Sequence, residues 1–165
     1  MLIDTHAHIN FSAYKEDGDE VIKRSLEEET WMLLAGADYK TSKRALDYAN
    51  KYEKGVYAAV GLHPIHTRET QAKGDDYDLN TVGEDFNYDI YKQLASFEKV
   101  IAIGEIGLDY YHLNHGGDVA MQKREQKNIF VEQLKLSRSL DLPAIIHCRQ
   151  AHDDMLETLK NFRKE

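Results

Sequence analysis

Five short apolar runs set the rhythm of this chain, and between them apolar residues recur every three or four positions. The runs predict strands at Leu2–Thr5, Trp31–Ala35, Val56–Gly61, Val100–Gly104 and Pro143–His147. The intervening stretches predict helices near Asp19–Glu28, Thr41–Tyr52, Asp85–Ser96, Val119–Leu140 and Ala151–Phe162, because a 3.6-residue period gathers such positions on one face. In the fourth helix, Ile129, Phe130, Gln133, Leu134, Ser137 and Leu140 mark the side turned to the core. Pro143 breaks the chain before the fifth strand. Strand and helix in alternation imply parallel strands joined by helical crossovers, the α/β class. No repeat and no Gly/Ser linker interrupts the pattern, so residues 1–165 are expected to form a single domain.

The polar residues that follow the runs sharpen this picture. His6 and His8 close the first run, Asp38 follows the second and His63 the third. Glu105 and Asp109 follow the fourth, and His147 with Arg149 closes the fifth. In a parallel (β/α) barrel the C-terminal strand ends open on one face, and catalytic groups gather there. A complete TIM-type barrel of eight units takes about 250 residues. The expected fold is therefore an incomplete barrel of about five (β/α) units.

Composition narrows the function classes. With 165 residues, 42% hydrophobic and 30% charged, the chain has the material for a core and an ordinary globular surface. A net charge of -8 excludes a nonspecific nucleic-acid coat, which needs Lys and Arg to neutralise phosphates. It permits a nucleic-acid enzyme whose positive charge is bound metal. The single Cys148 excludes an internal disulfide and suits a reducing compartment. No basic-then-apolar leader surrounds Asp4, and the longest apolar run, Trp31–Ala37, falls far short of the roughly 20 residues of a membrane span. A cytoplasmic protein without membrane attachment is expected. Six acids and no base between Asp75 and Asp89 read as solvated loop or helix surface.

The candidate chemistry lies in four short motifs. In "THAH" the strand period of two turns His6 and His8 to one side, where both imidazoles can grip one ion. In "IGEIGLDYY", Glu105 stands between glycines that let a ligand approach the backbone, and its two oxygens can join two ions about 3.5–4 Å apart. Its alternative is a buried salt bridge, for instance to Arg149. In "VGLHP", His63 precedes a proline that sets the turn, and it is either a structural turn residue or a substrate contact. In "IIHCRQAHDD", His147 is a ligand candidate, and Arg149 points to the same side with a guanidinium suited to phosphate. Cys148 alternates away from His147 and is expected to pack between strand and helix. Asp153 and Asp154 suit a helix N-terminus. Tyr110 and Tyr111 are candidates for stacking on a base or for core packing, and Trp31 is expected in the core. No nucleophile elbow, Walker loop or dinucleotide fingerprint is present.

Taken in order, "IDTHAH", "VGLHP", "IGEIGLDYY" and "QLKLSRSLDLPAIIHCRQAHDD" make the chain resemble the TatD family of metal-dependent deoxyribonucleases, among the amidohydrolase-like metal barrels. The resemblance runs through the whole chain and reaches about the first two-thirds of a family member. It implies that His6 and His8 hold one ion, that Glu105 bridges two, and that His147 holds the second. The ions would be divalent: Mg, Mn or Zn. It implies phosphodiester hydrolysis of DNA, single-stranded or at ends, with His63 and Arg149 orienting the phosphate and Tyr110 contacting sugar or base. A further histidine and a water-activating aspartate come from later strands in the family. Neither has a counterpart after His147, since His152 falls in the fifth helix, and turnover by this chain alone is expected to be impaired. The offset of His66 after "GLHP" and the acidic Asp75–Asp89 segment are smaller departures, both at the rim.

Two other classes compete. The same metal cup serves hydrolases of small amides, esters or lactones, which DNA would not satisfy as substrate. A noncatalytic half-barrel would instead need a partner, because open parallel strand edges invite association. Self-association, or a C-terminal fragment completing the barrel, is the expectation there.

Overall fold

The computed structural model describes residues 1–73, 78–114 and 116–164. Its main sheet has five parallel strands in the order β1–β2–β3–β6–β7. These are β1 (Leu2–Ala7), β2 (Thr30–Ala35), β3 (Val56–Val60), β6 (Val100–Asp109) and β7 (Ala144–Arg149). Helices α1 (Gly18–Glu27), α2 (Tyr39–Ala49), α3 (Tyr88–Ala95), α4 (Val119–Leu140) and α5 (His152–Phe162) connect or follow them. Consecutive strands of the main sheet are neighbours, so every helical crossover lies between adjacent parallel strands, the arrangement of (β/α) barrel units. Among the described residues, no helix is long and apolar enough to cross a membrane.

The core lies between the sheet and its helices. Met32, Leu34, Val56, Ala58, Val60, Val100, Ile103, Ile106 and Leu108 meet Ile22, Ala45, Leu46, Tyr91, Phe130, Leu134 and Leu136 there. The alternate strand positions face away from the helices. Ile3 and Ile101 are exposed and Trp31 is only half-buried, beside Tyr57 with ring centroids 6.2 Å apart. Trp31 is therefore not a core residue: its face of the sheet is left uncovered by the described residues. Cys148, half-buried, packs against the core as expected.

Two elements depart from the sequence pattern. A two-stranded antiparallel ribbon, β4 (Glu69–Lys73) with β5 (Asp78–Val82), stands where loop or helix surface was expected. Of the acidic segment, Asp75 and Asp76 lie outside the described residues. Glu84 is no solvated charge, for it accepts the Tyr39 N–H at 2.9 Å and the Tyr91 hydroxyl at 2.7 Å, tying the chain beyond the ribbon to the start of α2. Second, β6 continues to Asp109, so Glu105 sits within a strand and not in a loop after it. A register irregularity between Ile103 and Ile106 accompanies the change. Gly107 makes the continuation possible: its φ is +148°, and a Cβ there would come 2.0 Å from the His147 carbonyl oxygen.

Candidate metal centre

The C-terminal ends of the central strands are stitched together before any side chain is considered. The Glu105 N–H donates to Gly36 O at 2.7 Å, and the His63 N–H donates to Ala37 O at 2.8 Å. Asp38, expected only as a polar strand-end residue, caps α2 by accepting the Thr41 N–H at 2.7 Å. Its carboxylate also lies 3.9 Å from His66 Nδ1.

Glu105 is the hub of the cluster. Its Oε2 lies 3.0 Å from His6 Nε2 and 3.7 Å from His8 Nε2. Its Oε1 lies 3.1 Å from His147 Nδ1 and 3.8 Å from His63 Nε2. One carboxylate thus turns each oxygen to a different pair of imidazoles. Ligand atoms of His6, His8 and Glu105 lie within 4.8 Å of one another, as do those of His63, Glu105 and His147. Five residues, drawn from as far apart in the chain as His6 and His147, meet at one rim.

Each ring's second nitrogen indicates what the first can do. His8 Nδ1–H donates to Ala35 O at 3.2 Å, which leaves the Nε2 lone pair directed at the cluster. Burial, the largest influence, holds the His8 pKa below the ordinary histidine value despite the Glu105 charge. His63 is the opposite case: its Nδ1 accepts the Ile65 N–H at 3.2 Å, so the neutral ring carries its proton on Nε2. Burial, with the His147 charge beside it, pushes His63 down to about 3. It faces Glu105 as a neutral N–H donor.

His147 is held from both sides. Its Nδ1 meets Glu105 Oε1, and its Nε2–H donates to Asp109 Oδ2 at 3.0 Å. Burial alone would lower its pKa, but these two carboxylates outweigh that and hold it up at about 9. Asp109 itself, buried, also accepts His112 Nδ1–H at 2.9 Å and the His112 backbone N–H at 3.0 Å. Burial would raise the Glu105 and Asp109 carboxyls, yet the imidazoles around them keep both far below the usual carboxylate range.

The remaining candidates divide. Arg149 reaches the same strand end, exposed, with its guanidinium 3.9 Å over the Tyr111 ring. It does not pair with Glu105. Tyr110 is not brought to the cluster: it is buried, its hydroxyl donates to Asp154 at 2.6 Å, and Lys127 pairs with the same carboxylate. Its neighbour Tyr111 is exposed there. His152 begins α5. Sequence reasoning noted Asp109 but assigned it no role, and passed over His112. The signal for both was their position just beyond the run that carries Glu105.

Three imidazole nitrogens and both oxygens of an ionised carboxylate suit zinc or manganese, and magnesium through the oxygens. The donor set therefore fits a divalent cation.

Comparison with known proteins adds to this geometry. The family model described as "TatD related DNase" matches residues 3–165. The chain is 37% identical over 161 residues to the uncharacterized metal-dependent hydrolase YabD of Bacillus subtilis, spanning 97% of this chain and 55% of that protein. It is 29% identical over 160 residues to the 3'-5' ssDNA/RNA exonuclease TatD of Erwinia amylovora, spanning 96% of this chain and 54% of the other. The crystal structure of YjjV, a TatD homolog from Escherichia coli K12, superposes with a TM-score of 0.74 at 30% identity, covering 98% of this chain and 56% of that one. The chain spans somewhat over half the length of the relatives it matches.

Proposed function

Because the chain belongs to the TatD family, we propose that it supplies the cation-binding half of a hydrolase of phosphodiester bonds in DNA, single-stranded or at ends. One observation carries this: a single carboxylate, Glu105, presents Oε2 to His6 and His8 and Oε1 to His147. That is the arrangement a carboxylate shared by two divalent ions needs. Glu105 would be the shared ligand, His6 and His8 ligands to one ion, and His147 Nδ1 a ligand to the other. Such ions supply Lewis-acid polarisation of a phosphoryl oxygen and a lowered pKa for water.

The chain's own residues do the rest. His63 offers a neutral Nε2–H to an anionic oxygen beside Glu105. Arg149, stacked on Tyr111, keeps the edge of its guanidinium for a phosphate. Asp109 keeps the proton of His147 on Nε2, which leaves Nδ1 for the cluster. The exonuclease named above supports a nucleic-acid substrate. Among the described residues no strand pairs with the outer edges of β1 and β7. Further strands of the same fold, or a second copy, would complete the sheet there.

The test has two arms. Mn²⁺ titration of the 165-residue chain should show uptake that Glu105→Gln removes; no uptake would sink the proposal. Supplied with Mn²⁺ or Mg²⁺, the chain combined with the C-terminal strands of a family member should release nucleotides from a single-stranded oligonucleotide and leave a lactone intact. The reverse preference, with Zn²⁺, would favour the small-ester hydrolase class.

A further inference from the structure

Helix α4 carries three buried glutamines, Gln122, Gln126 and Gln133. At 100° per residue they lie within about 40° of one another on one face. Each closes two hydrogen bonds on the backbone of a single distant residue. Gln133 accepts the Leu62 N–H at 2.7 Å and donates to Leu62 O at 2.9 Å. Gln126 accepts the Asp109 N–H at 2.9 Å and donates to Asp109 O at 3.0 Å, with Pro64 O at 3.4 Å as a further acceptor. Gln122 does the same for Asn114, both bonds at 2.9 Å, with Asp118 O at 3.3 Å.

The first two residues so held adjoin the cluster. Leu62 lies beyond the end of β3 and directly precedes His63; Asp109 ends β6 and holds His147 Nε2. A buried backbone N–H and C=O without partners is costly. A carboxamide is suited to both at once, since it presents one donor and one acceptor side by side. We infer that Gln126 and Gln133 are positioning residues for the cation site. They hold the backbone of Asp109, at the end of β6, and of Leu62, beyond the end of β3, and so fix His147 through Asp109, and His63 through the chain. This rests on the cation-site proposal for its purpose, though the clamps themselves do not. Gln122 performs the same service for a segment that carries no ligand.

Gln126→Met and Gln133→Met remove the clamps at nearly constant volume, and Gln122→Met is the matched control. With Co²⁺ as probe and visible absorption as readout, either of the first two should weaken uptake by about tenfold or more, and the control should not. In the cation-free chain, ring-nitrogen NMR shifts should move for His147 in Gln126→Met and for His63 in Gln133→Met, with both unmoved in Gln122→Met. Unchanged affinity and unchanged ring signals, or equal changes in the control, would overturn the assignment. If the unsubstituted chain takes up no Co²⁺, the cation proposal fails, and the ring signals alone judge the clamps. Should a methionine variant not fold, amide exchange in the unsubstituted chain decides. Slow exchange at Leu62 and Asp109 supports the clamps, and loop-like rates there overturn them.

Discussion

The two halves of the cluster are built on different foundations. His6 lies on β1, an edge strand, and His8 directly follows it, with side chains 37% and 36% exposed. Glu105 stands on the inner strand β6 and His63 follows the inner strand β3, 11% and 8% exposed, with backbones tied to the segment after β2 and, for the segment at His63, to α4. The inner half is pre-organised by burial, and its members cannot be altered without cost to the fold. The edge half is held by little more than its own strand and the Ala35 carbonyl, so its residues are free to be judged on chemistry alone.

The largest effect should come from Glu105→Gln, which keeps the shape of the hub and removes its charge from both halves. Mn²⁺ affinity by calorimetry should fall beyond the roughly 10–100-fold that outer hydrogen-bond partners cost; an unchanged affinity would place the ions elsewhere. Gly107→Ala strikes the fold instead, forcing a side chain into a φ of +148° and against the His147 carbonyl. A loss of about 3 kcal/mol in urea unfolding is expected. A near-neutral result would mean that β6 does not follow this path.

A direct contrast between the halves comes next. His63→Ala should lose about 1–3 kcal/mol of stability, because it empties a buried position and removes the hydrogen bond from the Ile65 N–H to the ring. His6→Ala should cost less than about 0.5 kcal/mol while still weakening cation uptake. Equal stability losses would erase the distinction. The mildest perturbation is pH. In the cation-free chain the His147 pKa is raised, so the stability it contributes is full below the ordinary histidine pKa near 6.5 and fades as the pH rises through about 9. The urea midpoint should fall between pH 6.5 and 9.5, and should do so less in Asp109→Asn.

Much of this was legible in the residues because apolar runs report burial directly. All five parallel strands and all five helices lie close to where periodicity puts them, and α4 runs over Val119–Leu140 as expected. The ribbon escaped because "ETQAK" and "DLNTV" lack the apolar alternation that betrays a half-buried strand. The length of β6 escaped because Gly104, Glu105 and Gly107 interrupt its apolar run, and glycine and acid in a row read as loop. The glutamines were in plain view at helical spacing, with Gln133 already assigned to the core side. A polar residue on a buried face is a question about its partner, and periodicity does not say which partner that is.

The order of residues along the chain therefore determined the strand–helix alternation, the family likeness and the set of side chains able to bind a cation, since each depends on local pattern and residue chemistry. The tertiary structure alone decided the division of labour: which oxygen of Glu105 meets which imidazole, that His63 shows the site a proton and His8 a lone pair, and that Tyr111 and not Tyr110 faces outward. Those outcomes hang on distances of about 3 Å between groups far apart in sequence and on which ring nitrogen is already occupied. Neither quantity is carried by any short stretch of chain.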